Sequence, residues 1–204
     1  SIHSPNIAKL KHIRRVNFYK CFFHNIFHSI LSVQNVHFIS FESLNLNSLK
    51  FGEEREQTKH SMIVLSKIVS LHISSSYFQY ILGSVIKIID VTNLFLHRSI
   101  FKHCIGGFGG TVAVLNENQF QRNSTLLISG CSFLSCSSMK HGGAFKISIM
   151  HQSIVSANRT YKKLSNFSRL FPLTKNRNVF IIIKLENVTF ENCTSILDGG
   201  AVYI

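Results

Sequence analysis

A short cassette occurs three times in this chain of 204 residues. Each copy begins with Phe-x-x-Cys and continues with Gly-Gly and a run of small and aliphatic residues. The first glycine follows the Phe by eight residues in one copy and by nine in the other two. Because a motif repeated at near-constant spacing indicates a repeated supersecondary unit, the cassette predicts a solenoid of stacked units. The copies are Phe101–Cys104 with Gly109–Val112, Phe133–Cys136 with Gly142–Phe145, and Phe190–Cys193 with Gly199–Val202.

The spacing of phenylalanines predicts a unit of 23 residues. Weaker relatives of the cassette begin at Phe18, Phe41 and Phe78, and two intervals between successive phenylalanines are 23 residues long. The β-branched runs Ile86–Val91 and Val179–Lys184, with Asn, Ser and Gly between such runs, are typical of short strands joined by turns. We therefore predict an all-β parallel β-helix in which the cassette Phe and Cys side chains form internal ladders and the glycines form tight turns.

Residues 1–204 are expected to form a single β-helical segment of a longer array, with two loop insertions. Residues 50–60 carry three of the nine carboxylates, and residues 156–178 are polar and basic. The longest phenylalanine interval, Phe133 to Phe190, would hold such a loop, with or without an additional unit. Insertions in solenoids often form the binding face, although a solvated loop without a partner is the alternative. The basic residues proposed as contacts for an anionic ligand are Arg159, Lys162, Lys163, Arg169, Lys175 and Arg177.

The net charge of +13 favours an acidic partner, such as an anionic glycan, a membrane surface or nucleic acid. Basic and aromatic residues alternate over Arg15–Lys20, a pattern compatible with base stacking, but Phe18 belongs to a weak cassette and is expected inside. We therefore expect no nucleic-acid partner. No apolar stretch approaches the roughly 20 residues of a membrane-spanning helix, so membrane attachment is expected only through parts outside this chain.

The third cassette, Phe190–Cys193 with Gly199–Val202, resembles the Phe-x-x-Asn and Gly-Gly-Ala-Ile repeats of the polymorphic outer membrane proteins. These are surface autotransporters of chlamydiae, and similar repeats occur in large surface proteins of parasitic protists. Cys stands where the family motif has Asn, and no copy carries a strict Gly-Gly-Ala-Ile. The resemblance implies a right-handed parallel β-helix, display at the cell surface or secretion, and adhesion to host cells through a host surface protein or an anionic glycan. It implies no catalytic residues.

An enzyme is the alternative, since parallel β-helices also include polysaccharide lyases and glycoside hydrolases. Such reactions need converging carboxylates or a Ca²⁺ site. The chain has only two aspartates, Asp90 and Asp198, and Asp198 precedes Gly199 as a turn residue does. Glu186 and Glu191 are interpreted as outward strand residues. We therefore predict no catalytic, metal or cofactor site.

The five cysteines allow a disulfide, a metal site or simple packing, and buried thiols that pack as small hydrophobic groups are favoured. The chain also contains five Asn-x-Ser/Thr sequons, at which glycosylation would require a eukaryotic secretory pathway. Asn192 is the poorest candidate because burial beside Cys193 is expected. The remaining four are Asn123, Asn158, Asn166 and Asn187.

Overall fold

A computed structural model describes residues 8–24, 29–47, 61–107, 110–116, 124–149, 166–172 and 180–204. These residues form twenty β-strands and no helix, which confirms the all-β prediction. The strands are β1 (Ala8–Lys11), β2 (Arg15–Tyr19), β3 (Phe22–His24), β4 (Leu31–Glu42), β5 (Asn45–Asn47), β6 (Ser61–Ser74), β7 (Tyr77–Gln79), β8 (Ser84–His97), β9 (Ile100–Lys102), β10 (Ile105–Gly106), β11 (Val112–Asn116), β12 (Ser124–Ser129), β13 (Ser132–Leu134), β14 (Ser137–Ser138), β15 (Phe145–Ile149), β16 (Asn166–Pro172), β17 (Phe180–Glu186), β18 (Thr189–Glu191), β19 (Thr194–Ser195) and β20 (Val202–Tyr203).

The described strands form three sheets of eleven, six and three strands. The six-stranded sheet has the order β3-β5-β7-β9-β13-β18, and its neighbours pair in parallel. The eleven-stranded sheet is also parallel apart from β16, which pairs antiparallel with β17. Because the neighbours of a strand come from successive stretches of chain, each repeat unit lies beside the preceding one. This arrangement is compatible with the predicted β-helix.

Residues in the left-handed backbone region lie at corresponding corners of successive units. Ser75 and Arg98, for example, have φ values of 51° and 46°. Their amides donate hydrogen bonds of 3.0 Å to the carbonyls of His97 and Ser129 in the next unit, which offset the cost of the strained conformation. The corner that precedes the six-stranded sheet is formed by Lys20, Ser43, Ser75, Arg98, Gly130 and Asn187.

The core consists of apolar side chains that lie above one another in register. In β12 the burial alternates strictly, because successive side chains of a strand point to opposite faces. One inward row is fully buried, and burying each of its side chains contributes about 1.5–3 kcal/mol. The row consists of Ile39, Leu71, Leu94, Leu126 and Ile183.

Two of the three weak cassettes, those at Phe18 and Phe41, do not lie in the same sheet as the three clear copies. Phe18 and Phe41 lie opposite each other 23 residues apart, as predicted, but on β2 and β4 of the eleven-stranded sheet. The cassette position of the six-stranded sheet is instead occupied in those units by Phe23 and Leu46. The assignment of Phe78 is confirmed, since it pairs with Phe101.

Most of the two predicted insertions lies outside the described residues. This applies to residues 50–60 and to residues 156–165 and 173–178. Within the second insertion, β16 forms a strand along the edge of β17 rather than a loop. Phe133 pairs directly with Phe190, so the idea of an additional unit between them is wrong.

Candidate ligand-binding face

The cassette phenylalanines form a continuous stack inside the molecule. Ring centroids are 4.7 Å apart for Phe78 and Phe101, 4.7 Å for Phe101 and Phe133, and 5.3 Å for Phe133 and Phe190. The first three of these side chains have no exposed surface. The predicted aromatic ladder is therefore confirmed. Since three of its members are fully buried and Phe190 is partly buried, the most repeated feature of the sequence builds the scaffold.

The cassette cysteines form a second internal ladder. The Cys136 thiol donates to the carbonyl of Phe101 at 3.5 Å, and the Cys193 thiol donates to that of Phe133 at 3.3 Å. All five cysteines are free thiols, and Cys104, Cys131 and Cys136 are buried. Burial raises the pKa of Cys104 well above its usual value and that of Cys131 to about 11. The Cys104 and Cys131 thiols are therefore neutral at physiological pH, which fits the packing role predicted for buried cysteines.

The glycine pair of the cassette is required by a tight turn and by close packing. Gly142 has a φ of 57°, a conformation that favours glycine. A Cβ on Gly143 would lie 2.6 Å from the carbonyl oxygen of Gly200 and 2.9 Å from that of Cys136. The prediction that these glycines allow a turn and a close approach between units is confirmed.

The described residues include one of the six predicted contact residues. Arg169 lies on β16, and the others, Arg159, Lys162, Lys163, Lys175 and Arg177, lie outside the described residues.

The structure likewise describes only some of the predicted glycosylation sequons. Asn123 and Asn158 lie outside the described residues, and Asn166 is the first residue of β16. Asn187 and Asn192 are exposed corner residues with φ of 51°. The expected burial of Asn192 is therefore wrong, because the left-handed corner directs its side chain outward while Cys193 faces the core.

An aromatic row lies on the outer face of the eleven-stranded sheet. We use this name for Arg15, Phe38, His72 and Phe95. The Arg15 guanidinium carbon is 4.7 Å from the Phe38 ring centroid, a cation–π geometry. The His72 ring lies 5.0 Å from Phe38 and 4.6 Å from Phe95, tilted by 45° in both pairs. The row crosses four successive units, on β2, β4, β6 and β8, and its three rings are partly exposed.

Polar side chains surround the aromatic row. Ser70 Oγ lies 3.1 Å from His72 Nε2, and Ser40 donates a hydrogen bond of 2.8 Å to Asn17. Ser70 and Asn93 are register partners on the same outer face. Partial burial lowers the pKa of His72, so its ring is neutral at pH 7 and Arg15 supplies the charge of the row. The face thus combines aromatic surface, hydroxyl and amide groups, and one guanidinium.

Sequence reasoning missed the aromatic row. Phe38 and Phe95 face outward from strands whose neighbouring residues Ile39 and Leu94 face the core. The three rings are separated by 34 and 23 residues along the chain, so no fixed period connects them. The alternation of inward and outward residues in β4 and β8 could have indicated that Phe38 and Phe95 face outward. The contacts between the rings could not be predicted in this way, because they depend on the register between units.

The described residues also contain a small cavity and two contacts between oppositely charged groups. A cavity of about 50 Å³ lies between Phe18, Phe23 and Phe41, and its lining is apolar throughout. The Asp198 carboxylate lies 3.5 Å from the His141 ring nitrogen Nδ1. The Glu186 carboxylate lies 2.5 Å from the Lys184 ammonium nitrogen. Among the described residues, no group of three or more His, Cys, Asp or Glu side chains is placed to hold a metal ion.

The chain matches no family model, no curated protein and no solved structure. The described part of the chain contains no helix with the length and hydropathy that a membrane span requires.

Proposed function

We propose that this chain is a segment of a right-handed parallel β-helix in a cell-surface or secreted protein, and that it mediates adhesion by binding glycans without catalysis. The parallel registers support the β-helix, since each unit pairs with the unit before it. The resemblance of the cassettes to the repeats of the polymorphic outer membrane proteins supports surface display. The anchor, in this proposal, belongs to parts outside the chain.

The aromatic row is the observation that carries the glycan proposal. Pyranose rings present C–H groups that pack on aromatic faces, while their hydroxyls need hydrogen-bonding partners such as Ser70 and Asn93. Neighbouring units are spaced by about 4.8 Å, which is close to the length of one pyranose ring. A row of rings along successive units therefore fits an extended sugar chain that lies across the strands.

The charge favours anionic glycans over neutral ones. Arg15 lies at one end of the row, and the whole chain carries a net charge of +13. We propose that basic residues of segment 156–178 contribute further contacts, because charged groups steer an acidic polymer to the surface from a distance. A host surface protein is the alternative partner. It would bind the same face without competition from free polysaccharide.

The test compares two alanine variants on one outward row. Phe95 and Leu127 are register partners on β8 and β12, and both are partly exposed. Calorimetry with a polysaccharide selected on a glycan array should show that Phe95→Ala weakens binding about three- to tenfold, the value of one aromatic contact. Leu127→Ala should change binding less than about twofold, because Leu127 lies outside the ring contacts.

Two results would contradict the proposal. One is the failure of the chain to retain any glycan on the array, and the other is equal loss of affinity in both variants. The enzyme alternative is tested on the same sample: shortening of the polysaccharide during incubation would show that the protein is not solely a binding module.

A further inference from the structure

Three cysteines lie one above another in successive units. The amide of Ser137 donates to the carbonyl of Cys104 at 2.9 Å, and the amide of Thr194 donates to that of Cys136 at 3.0 Å. The short strands on either side of these cysteines pair in the same register. Cys136 is therefore the direct neighbour of both Cys104 and Cys193. We call these three cysteines the thiol ladder.

The thiols of the ladder point towards the preceding unit. The Cys193 thiol donates at 3.3 Å to the carbonyl of Phe133, which belongs to the unit of Cys136. The Cys136 thiol donates at 3.5 Å to the carbonyl of Phe101, in the unit of Cys104. Neighbouring strands are about 4.8 Å apart, within the range of roughly 4.4–6.8 Å that separates the Cα atoms of a disulfide. The backbone spacing therefore permits a disulfide within either neighbouring pair.

The three thiols differ in their access to solvent. Cys104 and Cys136 are fully buried, whereas Cys193 is partly exposed. The hydrogen bond to Cys136 and partial burial raise the pKa of Cys193, and hydrogen bonds from both neighbours lower the pKa of Cys136. An external reagent therefore reaches the ladder at Cys193, and Cys136 supplies a thiolate directly behind it.

We infer that Cys136 and Cys193 form a redox site, which a small external disulfide such as oxidised glutathione converts into an internal disulfide. The Cys193 thiolate attacks one sulfur of oxidised glutathione, and the first glutathione leaves as a thiolate. The Cys136 thiolate then attacks the Cys193 sulfur of the mixed disulfide and displaces the second glutathione. The two cysteines lose two electrons and two protons, which the released glutathione carries away as two thiols. Cys104 keeps its thiol, because Cys136 can bridge to only one neighbour.

This redox site goes beyond glycan binding and does not depend on it. The disulfide would join two neighbouring units and connect residues that are 57 positions apart in the sequence. Because a cross-link reduces the conformational freedom of the unfolded chain, the oxidised form should melt about 5–15 °C above the reduced form. The oxidising surroundings outside a cell would favour the oxidised, more stable form.

The remaining two cysteines are matched controls within the same chain. Cys21 is partly exposed like Cys193, but its neighbour in the next unit is a leucine. Cys131 is buried like Cys136, but its neighbours are a serine and a valine. Neither control has a second thiol beside it, so neither can complete the second step of the exchange.

The inference is tested by adding oxidised glutathione to the reduced full chain at about pH 8.5, the usual pKa of a thiol. After the remaining thiols have been blocked, peptide mass spectrometry should find Cys136 linked to Cys193 and glutathione retained on Cys21. Cys104 and Cys131 should remain reduced. Glutathione retained on Cys193, a bridge that joins other cysteines, or no oxidation at Cys193 would overturn the inference.

Two variants separate the steps of the exchange. Cys136→Ser should leave glutathione attached to Cys193, because the thiol that displaces it is absent. Cys131→Ser is the buried control and should form the bridge as the unmodified chain does. The bridge should lose its predominance when the unmodified chain is oxidised in urea, since the selectivity depends on the stacked units. An equally selective bridge in urea, or an oxidised form that melts below the reduced form, would contradict the redox site.

Discussion

Phe101 lies directly against Phe133, with ring centroids 4.7 Å apart and ring planes within 5° of each other. The two residues are register partners on β9 and β13 although 32 positions separate them in the chain. Each ring fills the space between neighbouring units, so the stack holds the units together. This contact explains why the cassette keeps a phenylalanine in all three copies while the residues between its two halves vary.

Removing a ring from the middle of this stack should be costly. Phe101→Ala should lower the free energy of unfolding by about 3–5 kcal/mol, because it leaves a cavity between two units. Phe22→Ala is the control, since that side chain is 65% exposed, and it should change stability by less than about 0.5 kcal/mol. Urea denaturation measures both values. A small effect of Phe101→Ala would contradict the internal stack.

The second glycine of the cassette offers a matched pair of substitutions. A Cβ on Gly143 would overlap the carbonyl oxygen of Thr194, whereas the nearest contact of a Cβ on Gly200 is 3.8 Å. Gly143→Ala should therefore lower the melting temperature strongly, by the equivalent of about 3 kcal/mol or more, while Gly200→Ala should be close to neutral. Calorimetry that found equal effects would be inconsistent with the close approach at Gly143.

The buried Cys131 thiol makes stability depend on pH. Burial raises its pKa from 9.0 to about 11, so the folded state retains a proton that the unfolded state releases. The stabilisation is present below pH 9 and is lost as the pH rises towards 11, amounting to about 3 kcal/mol for this group. We expect the free energy of unfolding to fall more steeply between pH 9 and 11 in the unmodified chain than in Cys131→Ala. Parallel curves would show that the thiol is not buried.

The sequence predicted the arrangement of the repeat units better than it predicted the residues of the proposed ligand-binding face. The spacing of Phe101, Phe133 and Phe190 predicted their stack, because one residue type recurred in one structural position. Phe18 was misassigned because two corners of each unit have the same local pattern. At both, an inward residue is followed by an outward residue, a left-handed residue and another inward residue, as in Phe18-Tyr19-Lys20-Cys21 and Phe101–Cys104. Only the strand pairing distinguishes them.

The candidate sites depend on contacts that a linear sequence does not contain. His72 meets Phe38 diagonally, since its own register partner on β4 is Ser40. Cys193 lies beside Cys136 only because their two units are stacked. Charge, by contrast, is visible in the sequence, and the basic residues of segment 156–178 are the reason why it was predicted to contact an anionic ligand.

The proposed contact between segment 156–178 and an anionic glycan can be tested separately. Neutralising Lys162, Lys163 and Arg169 together should reduce the salt concentration that elutes the chain from heparin, because fewer cations would contact the sulfated polymer. Neutralising Lys9, Lys11 and Arg14, which lie on or near the exposed first strands, provides a control with the same change in charge. Unchanged elution after the first substitution would mean that the segment is not a contact.

The alignment of successive units underlies both proposed sites, and spin labels measure it directly. Asn93 and Thr125 are register partners on β8 and β12, about 5 Å apart in the backbone although 32 residues apart in sequence. Nitroxides at these two positions should give strong dipolar broadening of the electron paramagnetic resonance spectrum. Labels at Asn93 and Lys102, nearer in sequence but on different sheets, should give much weaker broadening. Strong broadening for the second pair and none for the first would contradict the stacked registers and, with them, the aromatic row.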